Sequence, residues 1–215
     1  MNRKARLVFI FVLVAVVAIA IAIPTYAVWS GGADTTANGV IDNNDDMTYR
    51  YLVLDGITSQ GKHYYMTYND AGYFEYNASY NIYDEEVDTS ATALSSIGVI
   101  GYTGMLGEYE DLIIPDSITW KDSSSTSHDA AEIDFVNMLS ELEFPALRGI
   151  KSVVIGANVE EIQGVSFSFL PLLTEVKFKM SLSDYNNLTI SENAFISKNT
   201  ITRKYYNDGD YVTIS

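Results

Sequence analysis

Two histidines, a scatter of paired carboxylates and one glycine-centred acidic stretch are the residues of this sequence that could do chemistry. The acidic stretch runs from Asp34 to Asp45 (DTTANGVIDNND). It sets oxygen ligands at Asp34, Thr36, Asn38, Asp42 and Asp45, with Gly39 and Ile41 where a calcium loop has its sharp turn and its aliphatic residue. Position twelve is Asp45 rather than a bidentate Glu, and Gly31-Gly32 precedes the stretch instead of a helix. A solvated acidic linker fits residues 30–47 as well, so the cofactor expectation is none, with calcium as the one candidate. His63 and His128 have no Ser, Cys or acidic residue at a recognisable catalytic spacing and read as exposed loop histidines. Asp84-Glu85-Glu86, Glu108 with Glu110, and Glu160-Glu161 could supply the two carboxyls of a glycosidase. With 28 acidic residues in 215, adjacency carries little weight, and no catalytic residue is assigned. The expectation is a protein that is not an enzyme.

Cysteine is absent, which excludes disulfides, thiolate metal sites and Cys nucleophiles. The formal net charge is −15. Arg3, Lys4 and Arg6 are the only charges in the first thirty residues, and the remainder carries 10 basic and 28 acidic residues, a net charge of −18. Phosphate-rich partners need Lys and Arg clusters, so nucleic acid is excluded as a partner.

The basic leader precedes an unbroken apolar run from Leu7 to Ile23, which extends to Trp29 with Pro24, Thr25 and Tyr26 as its only softer residues. Residues 1–29 read either as a cleaved signal peptide or as an uncleaved N-terminal membrane anchor spanning residues 7–29. Both readings keep the positive charge in the cytoplasm and export the rest. The protein is then membrane-anchored with its C-terminal part outside, or secreted to the cell surface.

Nine of the sixteen tyrosines fall between Tyr49 and Tyr83. Phe74, Tyr76, Ala78, Tyr80 and Ile82 alternate with polar residues, which predicts a half-buried strand. His63–Tyr68 predicts a second strand, with Asn69-Asp70-Ala71-Gly72 as the turn between them. Residues 48–96 are therefore a Tyr-rich β-hairpin region, from which Tyr65, Tyr73 and Tyr83 are the candidate ligand-binding rings. Asp84–Ser96 and Lys121–Ala131 read as loops, and the spacing of Ile133, Val136, Leu139 and Leu142 predicts a short helix.

Residues 97–215 contain degenerate repeats. Leu112-Ile113-Ile114-Pro115-Asp116-Ser117-Ile118, Val153-Val154-Ile155-Gly156-Ala157-Asn158-Val159 and Leu173-Thr174-Glu175-Val176-Lys177-Phe178 share an alternating apolar pattern, and Val153 to Val176 spans 23 residues. Ile162 precedes Phe167 by five residues, as Ile190 precedes Phe195. These segments, with Ala194 and the lead-in Val99–Gly104, resemble the BspA-like leucine-rich repeats of bacterial and protist surface proteins. The resemblance covers about residues 97–195. The chain lacks the Cys that the family usually has near Phe169–Leu173, and 40 residues separate Ile113 from Val153.

The resemblance implies a mainly β fold: a short leucine-rich-repeat solenoid of parallel strands with irregular or short helical returns. The β-hairpin region and one transmembrane or signal helix would precede it. An ordinary sandwich of alternating strands would carry the same apolar pattern. The resemblance also implies a non-catalytic cell-surface binding or adhesion module whose partner is a protein or a glycan. A structural cell-envelope scaffold and an accessory module of a carbohydrate-active enzyme are the alternatives.

Overall fold

The computed structural model describes residues 48–103, 111–139, 149–195 and 201–214. The signal or anchor segment at 1–29, the linker at 30–47 and all five calcium candidates, Asp34, Thr36, Asn38, Asp42 and Asp45, lie outside the described residues. Among the described residues, no helix is long and apolar enough to cross a membrane.

A 3-10 turn at Thr48–Tyr51 leads into an antiparallel meander of β1 (Leu52–Ile57), β2 (His63–Tyr68) and β3 (Phe74–Tyr76). The turn between β2 and β3 uses Asn69 and Gly72 as their chemistry suggests. Asn69 Oδ1 accepts from Ala71 N at 3.0 Å, and Gly72 sits at φ +92°, where a side chain is strained. The strand expected to reach Ile82 stops at Tyr76. Asn77 caps a 3-10 turn at Ala78–Tyr80 by accepting from Ser79 N, so its side chain competes with the ladder.

β4 (Ser96–Tyr102) lies antiparallel on the other side of β1, with a bulge at Val53 and Leu54. The later strands are β5 (Asp111–Ile113), β6 (Ser117–Lys121), β7 (Ser127–Glu132), β8 (Phe135–Val136), β9 (Ser152–Ile155), β10 (Glu161–Ile162) and β11 (Glu175–Phe178). A short helix α1 (Leu182–Asn187) precedes β12 (Thr189–Ile190), β13 (Thr202–Asn207) and β14 (Asp210–Thr213). Ser181 caps α1 by accepting from Asp184 N at 3.2 Å.

These strands form two sheets among the described residues. A nine-stranded sheet has the order β12-β10-β8-β4-β1-β2-β3-β6-β7, and a five-stranded sheet the order β14-β13-β11-β9-β5. Leu112, Val153 and Val176 align across parallel β5, β9 and β11, and with Ile114, Ile155 and Phe178 they are fully buried. Leu54, Met66, Phe74, Val99, Val136 and Ile162 of the larger sheet belong to the same core. Shared burial of the two apolar faces is the main stabilising contact of the fold.

This architecture corrects the expected solenoid. The hairpin region does not precede a stack of repeats; β1, β2 and β3 are interior strands of the larger sheet, joined to short parallel β8, β10 and β12 through β4. The smaller sheet closes with an antiparallel β13–β14 hairpin. The fold is mainly β with two mixed sheets. The physical reason is that a short parallel ladder leaves an open edge, and the long, doubly buried β4 pairs with it. Two local expectations also change. Of the loop read at Lys121–Ala131, Lys121 ends β6 and residues 127–131 lie in β7, which pairs with β6. The helix expected over Ile133–Leu142 contains strand β8 instead, and its residues 140–142 lie outside the described residues.

Candidate functional site

The outward face of the larger sheet carries an open groove of about 380 Å³. Its residues come from five separate stretches: Asp55 and Ile57 on β1, His63 on β2, Ser96 on β4, the Asp134–Asn137 segment around β8, and Glu160, Glu161 and Gln163 around β10. Gly98 of β4 shapes the floor. It pairs with Phe135, and a Cβ there would stand 2.1 Å from the Phe135 ring, so the missing side chain lets the ring lie across the strand. Phe135 joins Val53, Tyr65 and Ile100 in a second, smaller apolar cluster on this face.

Asp134 ties the floor together. Its Oδ2 accepts from Ile97 N at 3.0 Å, and its carbonyl accepts from Glu160 N at 2.7 Å. Gln163 Nε2 donates to Glu161 Oε2 at 3.0 Å. The lining thus holds four carboxyl groups, two amides, a hydroxyl and the His63 imidazole, and neither Lys nor Arg. Backbone hydrogen bonds from Asn137 N to Val99 O and from Gln163 N to Val136 O fix the main chain that carries these groups.

At one end, His63 lies between two carboxylates. Its Nδ1 is 2.9 and 3.0 Å from the two oxygens of Asp55, and its Nε2 is 2.9 Å from Glu85 Oε2. The latter oxygen also accepts from Tyr65 Oη at 3.0 Å. Burial pushes the Asp55 carboxyl up to about 6, against the opposing pull of His63. Asp55 faces Tyr65 in the β1–β2 register, and Ile57 faces His63, so the acid and the imidazole are diagonal neighbours on one face. Sequence spacing does not show this pairing, which explains why His63 looked unpartnered.

His128 is likewise paired. Its Nε2 is 2.9 Å from Asp122 Oδ2, and its ring stacks on Trp120 at 4.5 Å. Asp122 Oδ1 accepts from Ser124 N and Thr126 N at 2.9 Å and from Ser124 Oγ at 2.7 Å. Ser124 therefore bonds to the acid, and its hydroxyl is not arranged on the imidazole as a nucleophile's would be. The hydrogen bonds from His128 and Ser124 hold the Asp122 carboxyl down to about 2. A depressed carboxyl adds stability above its unfolded value of 3.8 and loses it as pH falls through about 2. Asp122→Asn is therefore expected to destabilise the protein at neutral pH, with the deficit shrinking as pH falls toward that value. Urea denaturation of both proteins across that range checks this, and a pH-independent deficit would contradict it.

The three candidate tyrosines do not form a shared exposed platform. Tyr65 is buried at 3 % exposure beneath Glu85, Tyr73 lies under Lys121 with Nζ 3.9 Å from the ring centre, and Tyr83 is 51 % exposed. Tyr64 packs against Tyr76 and Trp120 at 5.0 and 5.7 Å, and Tyr68 against Phe74 at 5.2 Å. Much of the tyrosine enrichment thus serves packing within the sheet. Among the described residues, no three His, Asp or Glu side chains are grouped so as to hold a metal ion. No family model, no curated protein and no solved structure matches the chain.

Proposed function

We propose that the protein is a non-catalytic binding module displayed on the outer side of a membrane, and that the groove takes a basic segment of a partner protein. The observation that carries this reading is the groove's lining: four carboxyl groups and two amides, two of them in paired strands and four at strand ends, with no Lys or Arg among them. A strongly negative chain draws cationic partners and repels anionic ones. The basic leader and apolar run at the N-terminus support export, as does the resemblance of residues 97–195 to surface-protein repeats.

Calorimetric titration of the full chain against a Lys/Arg-rich peptide, an Asp/Glu-rich peptide of equal length and a neutral glucan oligosaccharide tests the proposal. The basic peptide is expected to bind, to weaken with added salt, and to lose about tenfold in affinity on Glu160→Gln/Glu161→Gln. Unchanged affinity in that variant would remove the ligand from the groove, and preference for the oligosaccharide would overturn the protein-partner reading.

A second reading, glycoside hydrolysis, draws on one observation. Asp55 is a carboxyl pushed up to about 6 in a groove with other carboxylates, the property of a general acid. Both of its oxygens are engaged by His63 Nδ1, which leaves neither directed at a substrate. Release of reducing sugar from polysaccharide by the full chain, abolished by Asp55→Asn, would displace the binding reading.

A further inference from the structure

We propose that His63 is a proton-operated clasp: with both ring nitrogens protonated it ties the segment 84–88 to the larger sheet, and loss of one proton releases Glu85. The clasp is independent of what the groove binds. Its basis is a count of donors. A carboxylate only accepts hydrogen bonds, and a neutral imidazole has a single N–H. Both ring nitrogens of His63 face carboxylates, Asp55 on one side and Glu85 on the other. Both contacts are favourable when the ring is an imidazolium. In the neutral ring one nitrogen presents a lone pair to a negative oxygen, and that contact becomes repulsive.

Burial decides which partner leaves. The Asp55 side chain is 10 % exposed and sits on β1, paired on both sides, whereas that of Glu85 is 42 % exposed and sits in the connection between β3 and β4. Glu85 is therefore the arm that opens. Asp55 can itself retain a proton in mildly acidic solution, because burial raises its carboxyl, and this also preserves the closed arrangement in acid.

The segment has further attachments at the same residue. His63 N donates to Glu86 O at 2.9 Å, Asp88 N donates to His63 O at 3.0 Å, and His63 and Val87 make a parallel bridge. Val87 packs on the apolar cluster of Val53, Tyr65, Ile100 and Phe135. Opening would loosen this cover and would take from Tyr65 Oη its acceptor on Glu85. The other charged and titratable groups around the clasp are Tyr65 on β2, Lys62 paired with Glu86 at 2.7 Å, Asp84 and Asp88 on the segment, and Asp134, Glu160 and Glu161 along the groove. Asp55 and Glu85 are the carboxylates that meet the ring nitrogens.

Amide hydrogen exchange of the full chain, corrected for the intrinsic pH dependence of exchange, reads the clasp directly. Protection of the His63 and Asp88 amides is expected to fall about tenfold or more between about pH 5.5 and 8.5, while Leu54 and Met66 in the core stay protected. Glu85→Gln should abolish the fall, because a Gln side chain can offer either its oxygen to an N–H or its amide N–H to a lone pair. Constant protection in the wild type, an equal fall in Glu85→Gln, or a fall spread over the core amides would each overturn the clasp.

Discussion

Replacing Gly156 with alanine is expected to lower stability by about 2–3 kcal/mol, because the new methyl would have to displace main chain rather than a side chain. Gly156 follows β9, and a Cβ there would stand 2.5 Å from Pro115 O, 2.7 Å from its carbonyl carbon and 2.9 Å from Asp116 Cα. No change of rotamer relieves contacts with backbone. Its φ lies outside the left-handed region, so the need for glycine here is one of space. The two turns are also bonded to each other. Ala157 N donates to Asp116 Oδ1 at 2.7 Å and Asn158 Nδ2 to Asp116 O at 3.1 Å, while Asp116 Oδ2 pairs with Lys179 at 3.0 Å. Pushing the turns apart strains these bonds and the packing of Ile114 and Ile155 just inside them. Gly209→Ala provides the contrast. Gly209 has φ +98°, and a methyl there would meet nothing within 4 Å, so its substitution costs only the backbone preference, about 1–2 kcal/mol. Urea denaturation of both variants measures the difference, and a Gly156→Ala protein no less stable than Gly209→Ala would refute the steric argument.

Asp55→Asn is expected to change how stability depends on pH more than any other single carboxyl substitution in the groove. Burial raises the Asp55 carboxyl from its unfolded value of 3.8 to about 6, so the native state holds a proton that the unfolded chain has released. The stabilisation this confers is fully present below pH 3.8 and is lost as pH rises through about 6. Over that window the wild type should lose about 3 kcal/mol relative to Asp55→Asn, which has no proton to release. Above it the difference should level off. Asn retains an oxygen that can accept from His63 Nδ1–H, which separates the charge from the shape of the site. Free energies of unfolding for the two proteins, measured at several pH values across the window, give the difference directly. A constant difference would show that burial does not control this carboxyl.

The tyrosine-rich run ahead of the Asn69–Gly72 turn made β2 legible, and period-two alternation located the inward residues Leu112, Ile114, Val153, Ile155, Val176 and Phe178, because those positions alternate in a pattern that one buried face imposes. β7 was not legible. Its residues, Ser127-His128-Asp129-Ala130-Ala131-Glu132, are small or polar and lack strand propensity, and they become a strand because β6 offers an edge on which Trp120 meets His128. The spacing of Ile133 and Val136 matched a helical face, yet β8 takes part in two parallel ladders, with β4 and β10. Inward residues three apart can also arise when a chain alternates between a bend and a two-residue strand. Pairing energy from neighbouring strands then overrides the local pattern.

The candidate site divides in the same way. Net charge, the absence of cysteine and the basic-then-apolar N-terminus are sums or runs along the chain, so composition and local order alone determine them. The groove is different. It joins residues near positions 55, 63, 96, 135 and 161, and the Asp55–His63–Glu85 cluster spans a hairpin and the long connection after β3. Which strand lies beside which is decided by the pairing of open edges and by burial of two apolar faces against each other. Those are long-range terms that no local stretch encodes by itself. Tertiary structure therefore placed an apparently isolated histidine between two carboxyl groups and moved Tyr65 from candidate surface to core.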